Sequence, residues 1–277
     1  MTIRSPATAF TRAPARFDDP LYARIAALIY REAGIVLGPE KVSMMKARLT
    51  KRLAMTGAAD LAEYIDGIDA QRWPEETDHL VSALTTNFTH FFREAHHFTF
   101  LREVVFPDAR ARARNLKIWS AGCSSGQEPY SIAITGRQAD IRMSITATDI
   151  DRSILDRAQR GMFSAAETAN IPDDALKTGF QPSAEGFEIR DAVRDMVSFE
   201  HMNLHDRWSF DQPFDVIFCR NVIIYFDAES QLRLWQKFRE NLRPGGWLLI
   251  GHSERVPDQF RDHLRPVGHT IYQHFPD

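Results

Sequence analysis

The chain has 277 residues, of which 44% are hydrophobic and 26% charged, so it can form a globular protein with a substantial core. A formal net charge of −3 argues against a globally basic nucleic-acid-binding protein, and 2 cysteines exclude a disulfide scaffold and predict a reducing, cytoplasmic environment. No apolar run is long enough to span a membrane. Residues 1–17 lack the apolar segment of a secretory signal and are predicted to be a disordered leader.

Residues 18–88 have the pattern of a small helical domain. An acidic cap followed by proline starts the first helix at Asp19, and Gly34 ends it. Three more short helices are predicted, each with one apolar face. They start at Pro39, at Asp60 and at a Trp-Pro-Glu-Glu segment further along the chain. Amphipathic helices joined by short links predict a bundle.

Three basic residues of the second predicted helix, Lys41, Arg48 and Arg52, lie within about 20° of one line along its surface. Such a stripe would steer the chain towards an acidic partner. The alternative is an ordinary solvated helix face, which from the residues alone is the commoner case.

From residue 89 to residue 277, predicted strands and helices alternate, which is typical of an α/β domain with a mainly parallel sheet covered on both faces. A helix is expected over residues 89–105. Residues 162–195 break the alternation with glycine turns and are predicted to be a small insertion of antiparallel strands. The strands expected in the main sheet are residues 116–119, 145–149, 196–204, 214–219, 247–250 and 269–275.

Residues 116–130 read as a buried strand, a turn of small residues and a helix that begins near Pro129. Glycines let the backbone approach a ligand closely, and a helix start offers unpaired N–H groups. This order is typical of a nucleotide-type cofactor site in a doubly wound sheet. The turn contains only Gly122 and Gly126, so the fingerprint G-x-G-x-x-G is not met, and an ordinary tight turn remains an equal alternative.

Polar residues follow three further predicted strands at the same edge of the sheet. Asp149 is placed to accept both ribose hydroxyls of a nucleoside, although it would also serve as a helix cap. Asn203 could pair with an adenine edge, although a lone Asn is more often a turn residue. Arg220 and Asn221 end the next strand. Because doubly wound sheets bind ligands at the carboxyl ends of their strands, these residues together predict a site there.

The histidines and cysteines give no comparable signal. The 10 histidines show no zinc or iron spacing, and the neighbours His96 and His97 are expected to point to different sides of a helix. No metal site is therefore predicted. Cys123 and Cys219 are expected to be buried packing residues, with redox control as an unsupported alternative.

Six segments together resemble the CheR-type chemotaxis receptor methyltransferases, from about Pro20 to the end of the chain. They are residues 86–94 (TNFTHFFRE), 119–131 (WSAGCSSGQEPYS), 148–151 (TDID), 218–227 (FCRNVIIYFD), 242–246 (LRPGG) and 251–254 (GHSE). The resemblance implies a Rossmann-like methyltransferase sheet with a helical N-terminal domain and an inserted β-subdomain. It also implies S-adenosyl-L-methionine as cofactor and glutamate side chains of chemoreceptors as methyl acceptors.

The resemblance further implies a set of site residues. Arg93 and Tyr225 would lie near the methyl group. Arg93 suits the cofactor carboxylate, and Glu128 suits a positive charge; the alternatives are a surface ion pair for Arg93 and Arg220, and a favourable helix start for Glu128. Asn87 and Thr89 would alternatively cap a helix. The residues implied to hold the cofactor are Asn87, Thr89, Arg93, Glu128, Asp149, Asn203, Leu204, Arg220 and Asn221.

The acceptor determines the expected mechanism. A glutamate with a pKa near 4.3 is ionised roughly 500 to 1 at pH 7, so no general base is required. The protein must place a carboxylate oxygen in line with the methyl carbon. Arg93 is expected to fix the reactants, and the Tyr225 hydroxyl is expected to position them or to line the transfer channel.

Partners and alternatives follow from the same resemblance. The stripe of Lys41, Arg48 and Arg52 is expected to contact the cytoplasmic helical domain of chemoreceptors, and the protein is expected to be a monomer. The connection over residues 181–190 is short, so tethering of a receptor C-terminal peptide by the insertion is not expected. The alternatives are a dinucleotide-dependent oxidoreductase, a cofactor-binding regulatory module without this activity, and a methyltransferase with another acceptor.

Overall fold

The computed structural model describes residues 17–276 of the chain. The predicted leader, residues 1–17, lies outside this part of the chain except for Phe17. Phe17 is partly buried and packs against the hydrophobic core.

The first helical region forms from the start and stop signals that the sequence contains. Asp19 Oδ1 accepts a hydrogen bond from Leu21 N at 2.8 Å at the start of the first helix, and Gly34, with φ 69°, ends it. Asp60 caps the third helix in the same way through Glu63 N. A 3₁₀ turn, Pro39–Lys41, leads into the second helix. The four helices are α1 (Pro20–Ala33), α2 (Val42–Thr56), α3 (Leu61–Asp69) and α4 (Glu76–Leu84).

The prediction of a helix over residues 89–105 is wrong for residues 89–95, which are about two turns of helix. Residues 85–95 are irregular, with left-handed φ values of 54° at Phe92 and 57° at Glu94. Phe92 N donates to Ser131 Oγ at 3.0 Å instead of to a helical carbonyl, because the segment is fixed by contacts with other elements. Helix begins only afterwards, as α5 (His96–Phe100), a π-helical turn (Leu101–Val105) and α6 (Phe106–Ala111).

The main sheet has seven strands in the order β6-β2-β1-β7-β8-β10-β9. The first five in this order pair in parallel, and β10 and β9 add two antiparallel strands at one edge. A mixed sheet between helices confirms the predicted fold class. The strands are β1 (Leu116–Ala121), β2 (Met143–Asp149), β6 (Val197–His201), β7 (Phe214–Cys219), β8 (Leu242–Ile250), β9 (Leu264–Gly268) and β10 (Ile271–His274).

Helices cover the sheet, and a second, three-stranded antiparallel sheet in the order β3-β5-β4 is inserted between α8 and β6, as predicted. Its hairpin pairs Ser183 with Gly186, so the connection between β4 and β5 is a tight turn. The remaining elements are α7 (Gln127–Gln138), α8 (Arg152–Arg160), β3 (Met162–Phe163), α9 (Ala165–Thr168), α10 (Asp173–Gly179), β4 (Phe180–Ser183), β5 (Gly186–Ile189), α11 (Asp191–Arg194) and α12 (Ala228–Asn241).

Apolar side chains cover both faces of the sheet. One cluster contains Trp119, Phe214 and Phe238, and it continues without a break into the helical region through Ile29 and Leu49. A second cluster fills the other face. The helical region is therefore packed onto the sheet, directly above the carboxyl ends of the strands. None of the helices within residues 17–276 is long and apolar enough to cross a bilayer.

Candidate active site

A cavity of about 750 Å³ lies between the helical region and the carboxyl ends of β2, β1 and β7. Loops after these strands form its floor, and residues from α1, α2 and the irregular segment 85–95 form its other walls. All the residues implied by the resemblance line this one cavity, namely Asn87, Thr89, Arg93, Glu128, Asp149, Asn203, Leu204, Arg220, Asn221 and Tyr225.

The turn between β1 and α7 brings backbone to the cavity. Gly122 has φ 77°, and a Cβ there would lie 2.4 Å from Val222 Cγ2, so both the conformation and the space require glycine. The N–H groups of Gly122 and Cys123 donate to Thr148 O at 2.8 and 2.9 Å, and these bonds tie the turn to the end of β2. The turn is therefore a rigid wall of the cavity.

Asp149 is buried at the end of β2, where it holds the same turn. Its Oδ2 accepts from Ser124 N at 2.8 Å and its Oδ1 accepts from Asp151 N at 3.0 Å. Burial raises the pKa of Asp149 to about 6, although these backbone donors favour the ionised form. Each oxygen keeps a further lone pair, so the carboxylate can accept two hydroxyl donors from the cavity.

The alternative role of Asp149 as a helix cap is wrong, because Asp151 caps α8 through Ser153 N and Ile154 N. Asp151 also accepts from Asn87 Nδ2 at 2.8 Å and from Ser82 Oγ at 3.1 Å. Asn87 therefore caps no helix, and its amide instead joins the irregular segment to the start of α8.

Arg220 is buried beneath the cavity and is not a surface ion-pair partner. Its Nη1 lies 3.0 Å from Glu128 Oε2, its Nε lies 3.6 Å from Glu94 Oε2, and its Nη2 donates to the carbonyl of Arg93. Glu128 also accepts from Ser120 Oγ at 2.6 Å. Burial raises the pKa of Glu128, and the Arg220 charge opposes that rise. Glu94 also pairs with His252 Nδ1 at 3.0 Å, so Glu128 is the carboxylate beside Arg220 that lines the cavity.

Arg93 lines the cavity with its side chain half-buried. Its Nη1 donates to Phe88 O at 3.2 Å, and no acid pairs with its guanidinium among the ion pairs of residues 17–276. Thr89 lies on the same segment. The Arg93 guanidinium is thus available, as are Lys41 and Arg48 in the same lining, to meet an anionic group in the cavity.

Asn203 lies two residues after the end of β6. The nitrogen and the oxygen of its side-chain amide are each hydrogen-bonded to backbone atoms of the protein. Nδ2 donates to Glu32 O at 2.9 Å, and Oδ1 accepts from His205 N at 2.9 Å. One N–H and one oxygen lone pair remain for a ligand. The neighbouring Leu204 adds a buried apolar surface to the same wall.

The loop after β7 carries Asn221 and Tyr225, and a residue for which the sequence indicated no role organises it. Glu254 is buried, and its carboxylate accepts from the N–H groups of Gly251, Asn221, Val222 and Ile223 at 2.6 to 3.0 Å. Asn221 has φ 59°, and its buried Oδ1 has no hydrogen-bond partner among residues 17–276. Glu254 belongs to the GHSE segment of the resemblance, which was the one signal available for it.

The prediction that His96 and His97 point to different sides is wrong. Their ring centroids are 4.1 Å apart, and their Nε2 atoms lie 3.1 and 2.9 Å from Thr270 Oγ1. Ligand-capable atoms of Glu94, His96 and His97 lie within 4.8 Å of one another. Burial lowers the pKa of His97 to about 2, and the Arg220 guanidinium already supplies positive charge to this cluster.

The predicted basic stripe, which starts at Lys41 in the 3₁₀ turn and continues along α2, does not face solvent as a unit. Arg52 donates to both carboxylate oxygens of the buried Glu76, at 2.8 and 2.7 Å. Arg48 donates to Thr85 O at 2.5 Å, at the end of α4. Both side chains are turned towards α4, and Lys41 alone of the three is exposed.

Comparison with known proteins identifies the family. Residues 87–273 match the family described as CheR methyltransferase, SAM binding domain, and residues 20–85 match CheR methyltransferase, all-alpha domain. The chain belongs to the CheR methyltransferase family. A probable chemotaxis protein methyltransferase of Rhizobium etli is 39% identical over 259 residues, which are 89% of this chain and 97% of that one. The chemotaxis protein methyltransferase of Escherichia coli is 37% identical, over 92% of this chain and 91% of that one.

These findings confirm the family, the chemotaxis methyltransferase activity and the cofactor that the resemblance implied. Among solved structures, the glycopeptide N-methyltransferase MtfA with sinefungin has a TM-score of 0.35 and 16% identity over 59% of this chain and 50% of that one, a likeness too weak for any argument. The cavity itself fits S-adenosylmethionine: Asp149 offers hydroxyl acceptors, Asn221 Oδ1 lacks a partner, and the glutamates beside Arg220 suit positive charge.

Proposed function

We propose that the chain of this CheR methyltransferase esterifies glutamate side chains of chemoreceptors, and that the ten predicted residues lining the cavity carry the reaction. The observation that supports the proposal is their convergence: groups from five separate chain segments line one cavity of about 750 Å³. Bound S-adenosylmethionine supplies an electrophilic methyl group there. The protein supplies binding, orientation and exclusion of water.

The cofactor would be held by complementary chemistry along the cavity. Asp149 would accept the ribose hydroxyls, and Asn203 would use its remaining N–H and lone pair for the adenine edge. Glu128, held in place by Arg220, would face the ammonium group. Arg93 would pair with the carboxylate of the cofactor by charge-assisted hydrogen bonds. Asn87, Thr89, Leu204 and Asn221 complete the predicted set as lining residues.

The acceptor carboxylate arrives ionised, so the protein's own groups only have to place it. Arg93 would orient the carboxylate oxygen towards the methyl carbon, and the Tyr225 hydroxyl would line the path between them. Tyr225 is held for this role, because its backbone O accepts from Val36 N at 2.9 Å and its loop is fixed by Glu254. No side chain is required to remove a proton.

The surface proposed to contact the receptor contains fewer basic residues than the stripe predicted from the sequence. Arg48 and Arg52 are occupied by α4, so Lys41 is the member that would meet an acidic receptor. Residues 18–88 and 89–277, with an insertion at about 162–195, stay the proposed domains. The protein is proposed to act as a monomer in the cytoplasm.

The first experiment is transfer of labelled methyl from S-adenosylmethionine to membranes that carry chemoreceptors, followed by alkaline treatment. Release of labelled methanol is expected, because carboxyl methyl esters are labile to base. Label that survives alkali would indicate another acceptor atom and would overturn the proposed substrate. Cofactor binding without any transfer, across several receptors, would favour the regulatory module.

A further inference from the structure

The opening of the cavity is surrounded by apolar side chains that the protein leaves in water. Phe88, Ile224 and Val36 all line the cavity, yet they are 77%, 45% and 41% exposed. A side chain that lines a cavity and is exposed at the same time lies at its opening. We call these three residues the apolar rim.

The rim residues come from three different segments, and each segment is fixed by hydrogen bonds of its backbone. Val36 N donates to Tyr225 O, and Phe88 O accepts from Arg93 Nη1 at 3.2 Å. Glu254 accepts from Ile223 N, next to Ile224, at 2.9 Å. These hydrogen bonds tie the backbone of each segment to a neighbouring part of the cavity wall. Exposed apolar side chains grouped at the edge of a cavity mark an interaction site.

We propose that the apolar rim is the docking surface for the receptor segment around the acceptor glutamate, and that this segment has apolar side chains next to that glutamate. The inference rests on the proposed function and specifies its substrate. The acceptor carboxylate must reach the methyl group inside the cavity, so the chain that carries it must lie across the opening. In the helical receptor domain that the resemblance implies, residues three and four positions from the glutamate lie about 5–6 Å from it on the same face, so they would face the rim when the glutamate enters the cavity.

The charge beside the rim fits the same occupant. Lys41 lines the cavity and is exposed, so it offers a cation to a receptor surface that is rich in carboxylates. Apolar contact around the opening would also exclude water from the transfer path. An anionic acceptor with apolar neighbours matches both features, whereas a free glutamate would offer the charge without apolar neighbours for the rim.

The test compares Phe88→Ser, Ile224→Ser and the double variant with Met55→Ser. Met55 is a matched control, because it is 68% exposed on α2 and does not line the cavity. In the double variant the KM for receptor is expected to rise about tenfold, by loss of two apolar contacts, while the cofactor Kd stays within about twofold. Met55→Ser should change neither constant, and thermal unfolding would show that all variants fold.

Three outcomes contradict the inference. A double variant with the wild-type KM for receptor overturns the rim and leaves the proposed function intact. A raised cofactor Kd with unchanged receptor KM assigns the two substituted side chains to the cofactor site instead. A wild-type enzyme that forms no base-labile ester on any receptor overturns the proposed function and this inference with it.

Discussion

Strand β7 has an ion cluster near each end, and the residues at the centres of the two clusters have opposite charge. Near its amino end the central residue is Asp215, which pairs with Arg114 at 3.6 Å and with Arg243 and accepts from Lys117 N. Arg114 also pairs with Asp108 at 3.3 Å. Beyond its carboxyl end one arginine, Arg220, meets the two acids Glu94 and Glu128.

The difference indicates what each end contributes. The acid at the amino end lies outside the cavity lining and is fully matched by cations, so it serves the stability of the sheet. The arginine at the carboxyl end lies in the cavity lining together with Glu128, so this end presents charged groups to a ligand. Residues near the amino end of β7 are therefore expected to contribute to the free energy of unfolding, and residues beyond its carboxyl end to ligand binding and catalysis. Variants at the two ends should change different measurements.

The largest effect on activity is expected from Arg93→Ala. The substitution should lower kcat/KM about a hundredfold, since charge-assisted hydrogen bonds contribute up to about 3 kcal/mol. Folding should survive, because Arg220 donates to the carbonyl of Arg93 and not to its side chain. Arg102→Ala, at an exposed position, is the matched control. Steady-state kinetics and thermal unfolding measure both properties, and a fully active Arg93 variant would remove this residue from the mechanism.

Glu254→Gln and Asp215→Asn form a matched pair of buried carboxylates at the two ends. In the first variant the new side-chain amide would turn its NH₂ towards backbone N–H groups, which should loosen the Asn221–Tyr225 loop and lower kcat/KM about thirtyfold, or about 2 kcal/mol. Asp215→Asn should instead lower the free energy of unfolding by about 3 kcal/mol and leave kcat/KM of the folded enzyme unchanged. Equal kinetic losses in both variants would contradict the separation of roles.

The pH dependence of cofactor binding tests the carboxyl end without changing the fold. Asp149 has a pKa of about 6 in the ligand-free protein, and only the ionised form accepts two hydroxyl donors. The cofactor Kd should therefore be constant above about pH 7 and should rise about tenfold per pH unit below about pH 5. Calorimetric titration from about pH 5 to about pH 8 measures this, with Asp149→Asn as the control that should bind weakly at every pH. A wild-type Kd independent of pH would exclude Asp149 as a ribose acceptor.

The parts of the fold and of the cavity that could be predicted from the sequence are those that depend on residues close together in the chain. The caps at Asp19 and Asp60, and the strand ends at Asp149 and Arg220, depend on neighbours in the chain, and the structure has them where they were expected. Strand β9 was missed because Pro266 argues against a strand, although an edge strand tolerates it.

Errors elsewhere came from contacts between distant parts of the chain. The segment 85–95 is irregular because Asp151 and Ser131 bind it, and no local pattern encodes those partners. His96 and His97 converge because Thr270 lies between them. For the same reason the four backbone donors of Glu254 could not be predicted.

The smallest expected effect concerns α2 and separates its surface role from its packing role. Lys41→Glu should raise the KM for receptor a few-fold at low salt, and this rise should disappear at high salt, because interactions between exposed charges are screened. Arg52→Ala should leave that KM unchanged and lower the free energy of unfolding by about 3 kcal/mol, because Glu76 would stay buried without its cation. The two variants would be compared by receptor titration at two ionic strengths and by denaturant unfolding. A higher receptor KM for Arg52→Ala alone would restore the original stripe as the contact surface.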